Sequence, residues 1–120
     1  MAAKIVQYTQ QNWPLGVPPS NGIEQDVITS FPLEGITLNQ PLVVMKGNNL
    51  RTYFAIQNNG SGVISIGIGE PTEQGILLMA GGSYERWYKM TSQPFFVVPL
   101  YTPVSTDFVS VVEGSIQGGS

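Results

Sequence analysis

The 120-residue chain predicts an all-β fold: an antiparallel β-sandwich of jelly-roll type with an extended N-terminal arm. Three observations lead there. Ile64, Ile66 and Ile68 alternate with Ser65, Gly67 and Gly69, the period of two that a half-buried strand produces. Short apolar runs recur along the chain with glycine and proline between them, the spacing of a sandwich or barrel. No window sustains a helical period; the best helix candidate, Glu73 to Met79, is short and interrupted by Gly75.

Each element follows from its own residues. Residues 1–22 read as an arm. Ile5 to Tyr8 suits a short strand, and Trp13-Pro14-Leu15-Gly16-Val17-Pro18-Pro19 follows. Its prolines forbid a helix and exclude a central strand. Residues 23–114 form the predicted sandwich. Glu24 to Phe31 and Leu42 to Met45 are strands, the second ended by Lys46-Gly47-Asn48-Asn49. Arg51 to Gln57 and Val63 to Gly69 are expected to pair as a hairpin, with Asn59-Gly60 supplying the positive-φ residues of a tight turn. Gly75 to Ala80 is short and apolar, and Ser83 to Lys89 follows the Gly81-Gly82 turn. Phe95 to Tyr101 is a strand edged by Pro99, and Phe108 to Glu113 closes the series. Residues 115–120 read as a flexible polar tail.

Adjacent apolar pairs recur at Tyr53-Phe54, Leu77-Leu78, Phe95-Phe96, Val97-Val98 and Val111-Val112. Neighbours on a strand point to opposite faces, whereas two-sheet packing covers one face of each sheet. The outer faces are therefore expected to be covered by an arm or a neighbouring subunit, which implies self-association.

Charged residues are 11% of the chain, against roughly a quarter in an average protein. The five cations, Lys4, Lys46, Arg51, Arg86 and Lys89, form no cluster in sequence, and the net charge is -3. Nucleic-acid affinity rests on cations neutralising phosphates, so no nucleic-acid partner is expected. A surface this poor in charge carries apolar area, which marks protein contacts. No run of about 18 apolar residues occurs, so no membrane partner is expected, and the N-terminus shows no signal-peptide pattern.

Chemistry is sparse. Without histidine or cysteine the chain lacks the usual base near neutral pH, the thiol nucleophile and zinc-thiolate sites. Gly67-Ile68-Gly69-Glu70-Pro71-Thr72 begins like a dinucleotide fingerprint but lacks its third glycine and a following helix; a turn with close backbone approach explains it better. Ser83, after Gly81-Gly82, does not match the nucleophile elbow, and a Ser-Lys pairing with Lys46 or Lys89 is the remaining arrangement. The carboxylate pairs Glu24/Asp26 and Glu70/Glu73 read as solvated surface rather than a glycosidase pair or a calcium loop. Asn59-Gly60-Ser61 fits the N-glycosylation pattern but is accounted for by the turn. No enzyme activity, catalytic residue, cofactor or metal is expected. Interaction residues are expected in the arm (Trp13, Pro14, Leu15, Pro18, Pro19) and in the aromatic patch Arg86, Trp87 and Tyr88, whose composition is that of an interface hot spot or a sugar platform.

The stretch from Arg51 to Asn58, then Ile64 to Gly69, Gly75 to Leu78, Ala80 to Glu85, Pro94 to Val98 and Val109 to Gly114 resembles a small β domain of tailed-bacteriophage virion proteins. That domain occurs among head decoration or cement proteins and in fibre and tail-attachment modules. The resemblance covers about residues 50 to 114. It implies a non-enzymatic virion protein on the capsid surface that binds the major capsid protein, stabilises the shell and self-associates as a homotrimer. The alternative it leaves open is a host-recognition or fibre-base module binding a cell-surface glycan or another virion protein. A small lectin-like or enzyme domain is a third possibility.

Overall fold

The computed structural model describes residues 3–8 and 24–116. The described residues form nine strands: β1 (Ala3–Tyr8), β2 (Glu24–Pro32), β3 (Leu42–Met45), β4 (Arg51–Asn58), β5 (Ile64–Ile68), β6 (Ile76–Leu78), β7 (Ser83–Arg86), β8 (Phe95–Pro99) and β9 (Phe108–Ile116). They form two antiparallel sheets, ordered β1-β2-β9-β4-β7 and β3-β8-β5-β6. Among the described residues there is no helix, and so none long and apolar enough to cross a membrane.

The strand order is that of a jelly roll. Within the sheets β2 pairs with β9, β3 with β8, β4 with β7 and β5 with β6, each pair nested inside the last. Such nesting is a long double ribbon wound into two layers. The pairs β4–β9 and β5–β8 close each sheet around the winding.

Alternation fixes the core. Phe54, Ile56, Val109 and Val111 face inward from the first sheet, and Ile64, Ile66, Phe95 and Val97 from the second. Ile64 and Ile66 share one face, as their parity demands, and the half-buried Ile68 packs on the same core. Full burial of each such side chain contributes about 1.5–3 kcal/mol.

Several expectations are corrected. Strands β4 and β5 do not form a hairpin; they lie in different sheets. Each has one deeply apolar face, and two such faces are buried by stacking in layers, not by lying side by side in one layer. Residues 59–63 carry the chain across. Neither Asn59 nor Gly60 has positive φ; among the described residues those positions are Gly35, Gly69, Gly81 and Lys89. Asn59 instead donates its side-chain amide to the Ser110 hydroxyl at 2.8 Å. The predicted tail begins too early, because Ser115 and Ile116 pair with Gln25 and Glu24 at the end of β9. The short strand expected at Ile5 to Tyr8 is present and begins two residues earlier, as β1, antiparallel to β2. Asp26, read as solvated, is buried opposite Gly114, where a Cβ would press on its carboxylate.

Part of the outer surface is covered from within the chain. Ser65 and Gly67, on the outward face of β5, are buried beneath the β5–β6 loop. The Ser65 hydroxyl donates to the Thr72 carbonyl at 2.7 Å and accepts from the Gly75 N–H at 2.9 Å. On β8 both faces are likewise covered, with Val98 buried and Phe96 half-buried.

Candidate functional site

Loops alternate between the two ends of the sandwich. One end carries the β3–β4 loop (46–50), the β5–β6 loop (69–75), the β7–β8 loop (87–94) and Ile116. The other carries residues 33–41, 59–63, 79–82 and 100–107. Charges scattered in sequence are gathered by this topology. Four of the five cations, Lys46, Arg51, Arg86 and Lys89, belong to the first end.

Arg51 organises that end. Its side chain is fully buried and forms an ion pair from Nε to Glu113 at 2.8 Å. Three further donors go to backbone carbonyls: Nη1 to Thr91 at 2.7 Å and Gln93 at 3.0 Å, Nη2 to Lys46 at 2.7 Å. One guanidinium thereby ties the β3–β4 loop, the β7–β8 loop and β9 together. Asn48 reinforces the knot, donating to Glu113 at 3.1 Å and to the Ser115 hydroxyl at 2.8 Å. The sequence shows Arg51 as the head of a strand; its role depends mainly on Thr91, Gln93 and Glu113, forty or more residues away, which no local pattern reveals.

The β7–β8 loop is bracketed by a run of stacked side chains. The Arg51 guanidinium lies 5.3 Å from the centre of the Phe95 ring. Phe95 packs on Phe54 at 4.7 Å, and Phe54 meets Tyr84 edge-on at 5.3 Å. Arg86 sits over Tyr84 at 5.8 Å and donates to its hydroxyl at 2.7 Å. The loop leaves the five-stranded sheet at Arg86 and enters the four-stranded sheet at Phe95, so both of its feet stand on this run. At its start, directly after β7, Trp87 and Tyr88 are 63% and 62% exposed, and their rings meet edge-to-face at 6.1 Å. Lys89 follows with φ 48°, a conformation that costs a side-chain-bearing residue about 1–2 kcal/mol. Leu50 and Ile116, both exposed and joined by a backbone hydrogen bond of 3.0 Å, extend the apolar rim along the same end.

Of the sequence-predicted interaction residues, the structure therefore brings Arg86, Trp87 and Tyr88 together. Trp87 and Tyr88 are presented to solvent, whereas Arg86 is a half-buried support. Trp13, Pro14, Leu15, Pro18 and Pro19 lie outside the described residues. The Ser-Lys arrangement does not assemble: Ser83 begins β7 opposite Gln57, at the far end from Lys46 and Lys89. Glu70 and Glu73 are exposed on the β5–β6 loop. Gly67 shows the close backbone approach expected of the Gly67-Ile68-Gly69 stretch, since a Cβ there would overlap the Glu70 carbonyl oxygen. Among the described residues no group of three or more acidic side chains could hold a metal ion.

The opposite end is held by two side chains the sequence did not single out. Asn58, fully buried, donates to the carbonyls of Gly62, Leu78 and Met79 and accepts from the Gly60 N–H. Asp107 accepts from the Ser61 and Val104 N–H groups, both at 2.9 Å. The Val104 N–H is the main reason its carboxyl stays below the ordinary carboxylate range, with burial opposing and Tyr101 and Ser61 reinforcing. Burial, and then the neighbouring Asp107, push the Tyr101 phenol up.

Comparison with protein-family models, curated proteins and solved structures finds no match.

Proposed function

We propose that this chain is a non-enzymatic structural protein of a tailed-phage virion, a decoration or cement protein that binds the outside of the major capsid shell and self-associates as a homotrimer. The observation that carries the reading is the pair Trp87–Tyr88, exposed at the start of a loop whose two feet are held by the packing of Arg86 on Tyr84 and of Phe95 on Phe54. Exposed aromatics on a pre-organised loop are the composition of a protein–protein hot spot, because little side-chain and loop freedom is lost on docking. The charge-poor jelly roll around them suits permanent assembly. A protein that binds only the assembled shell favours that shell by mass action, and a site where three capsid subunits meet presents three equivalent surfaces to a trimer.

The second reading, a host-recognition or fibre-base module, draws on the same rings, since sugars stack on exposed Trp and Tyr. The 73° angle between them gives no shared flat platform, which favours a protein partner. Co-sedimentation with shells of the encoding phage tests the proposal. The purified protein is expected to pellet with shells. The Trp87→Ala/Tyr88→Ala variant is expected to lose more than about 2 kcal/mol of binding, roughly 30-fold. Its unfolding midpoint should stay within about 0.5 kcal/mol of the parent. Binding to bacterial surface polysaccharide without binding to shells would replace this reading with the second.

A further inference from the structure

The eight strands β2 to β9 complete the nested pairing of the roll without β1. Strand β1 is an addition at one edge, and among the described residues its single sheet neighbour is β2. We infer that β1 is exchanged between copies, so that the strand lying on β2 in the assembled protein is donated by a neighbouring chain.

The connection between the two strands points to this. Tyr8 and Glu24 are Cα partners in the ladder, and opposed residues in an antiparallel pair lie about 4.5–5.5 Å apart. Two residues suffice to join such neighbours. Here residues 9–23 intervene, fifteen in number, enough to reach about 50 Å when extended. The nine residues of β2 span about 30 Å, so the connection can deliver β1 past its own domain to the next. It carries Pro14, Pro18 and Pro19, and proline-rich connectors act as spacers that hold their ends apart. Exchange sacrifices no pairing, because the same six residue pairs, Ala3↔Thr29 to Tyr8↔Glu24, form whether the strand comes from the same chain or another. It is a low-cost route to an oligomer. Strand β1, Ala-Lys-Ile-Val-Gln-Tyr, has one charged residue and strong strand formers at its centre. A second copy is the occupant that matches the β2 edge over this whole ladder. The inference rests on the self-association proposed above and not on capsid binding.

The chain has no cysteine, so introduced thiols report cleanly. Two double variants, Ala3→Cys/Thr29→Cys and Lys4→Cys/Ile28→Cys, place thiols on adjacent Cα partners. Together they sample both the hydrogen-bonded and non-hydrogen-bonded geometries, and their Cα spacing falls within disulfide range. After oxidation at least one is expected to run on a non-reducing denaturing gel as two- and three-chain species. Ala3→Cys chains refolded together with Thr29→Cys chains should give a two-chain disulfide well above an Ala3→Cys plus Glu73→Cys control, and each of these chains carries one substitution only. Disulfides confined to single chains, mixed chains no better than the control, or free thiols remaining in both double variants would overturn exchange. Light scattering separates the two claims: an oligomer with intrachain disulfides keeps self-association and removes exchange, and a monomer removes both.

Discussion

Arg51 shows how much one buried charge can hold. Removing a partner from a buried ion pair costs about 3–5 kcal/mol, because the remaining charge is left uncompensated in a low-dielectric site. Arg51→Met is expected to destabilise by about that amount in denaturant titration. Arg51→Lys should recover little, since one ammonium cannot reach Glu113 and three carbonyls on two loops at once. Asp107 holds the other end, and its effect depends on pH. Its carboxyl titrates below the ordinary value in the folded chain, so its contribution is fully present above the unfolded-state pKa and is lost as pH falls through the lower folded value. The Tyr101 phenol titrates above its ordinary value, so its contribution is present below the unfolded-state pKa and is lost as pH rises through the folded one. Thermal unfolding across pH should therefore weaken at both extremes. Asp107→Asn is expected to flatten the acid limb, and Tyr101→Phe the alkaline limb.

At the level of elements, strand existence was legible and strand partnership was not. Leu42–Met45 matches β3 as read from the sequence, and the inward set Ile64, Ile66 and Ile68 follows from parity alone. The supposed hairpin of β4 and β5 failed because a short glycine-containing connection looks the same whether it turns within a sheet or crosses between two; the deciding force is burial of Phe54 and Ile56 against the other layer. Trp87 and Tyr88 were legible as candidates because large aromatics beside an arginine stand out in so charge-poor a chain, and the structure exposes both. The supports beneath them, Arg51, Glu113, Asn48 and Tyr84, were not, because their function is a set of long-range contacts. The β5–β6 loop gives the matching prediction. It lies so close over β5 that a methyl group at Gly67 would collide with the backbone at Glu70, and one at Gly75 with the backbone at Ile66. Gly67→Ala is expected to cost about 1–3 kcal/mol through forced backbone displacement. Gly47→Ala, where a Cβ would rest 3.4 Å from the Ser92 carbonyl oxygen, should change the unfolding midpoint far less.

For the whole molecule, the distribution of apolar surface sets the expectations. Exposed apolar side chains occur at both ends of the sandwich: Leu50, Trp87, Tyr88 and Ile116 at one, Leu38, Met79, Leu100 and Val104 at the other. The sheet edges between them are short. Strand β7 has four residues, two of them the charged Glu85 and Arg86, and β6 has three, which limits uncontrolled edge-to-edge pairing. The longer open edge is β1, outside the eight-stranded roll. Folding and assembly should therefore separate along the chain. Deleting residues 1–22 removes β1 and its connection and leaves every nested pair from β2–β9 to β5–β6 in place. The truncated protein is expected to keep a single cooperative unfolding transition by circular dichroism, with its core strands still protected from hydrogen exchange. In light scattering at micromolar concentration the full chain should associate and the truncated one should be a monomer, with correspondingly weaker binding to shells. A truncated chain that assembles and binds as well as the full one would move the contact surface off the arm and onto the sandwich ends. A truncated chain that fails to unfold cooperatively would mean that the β2 edge needs its six-residue ladder for stability as well as for assembly.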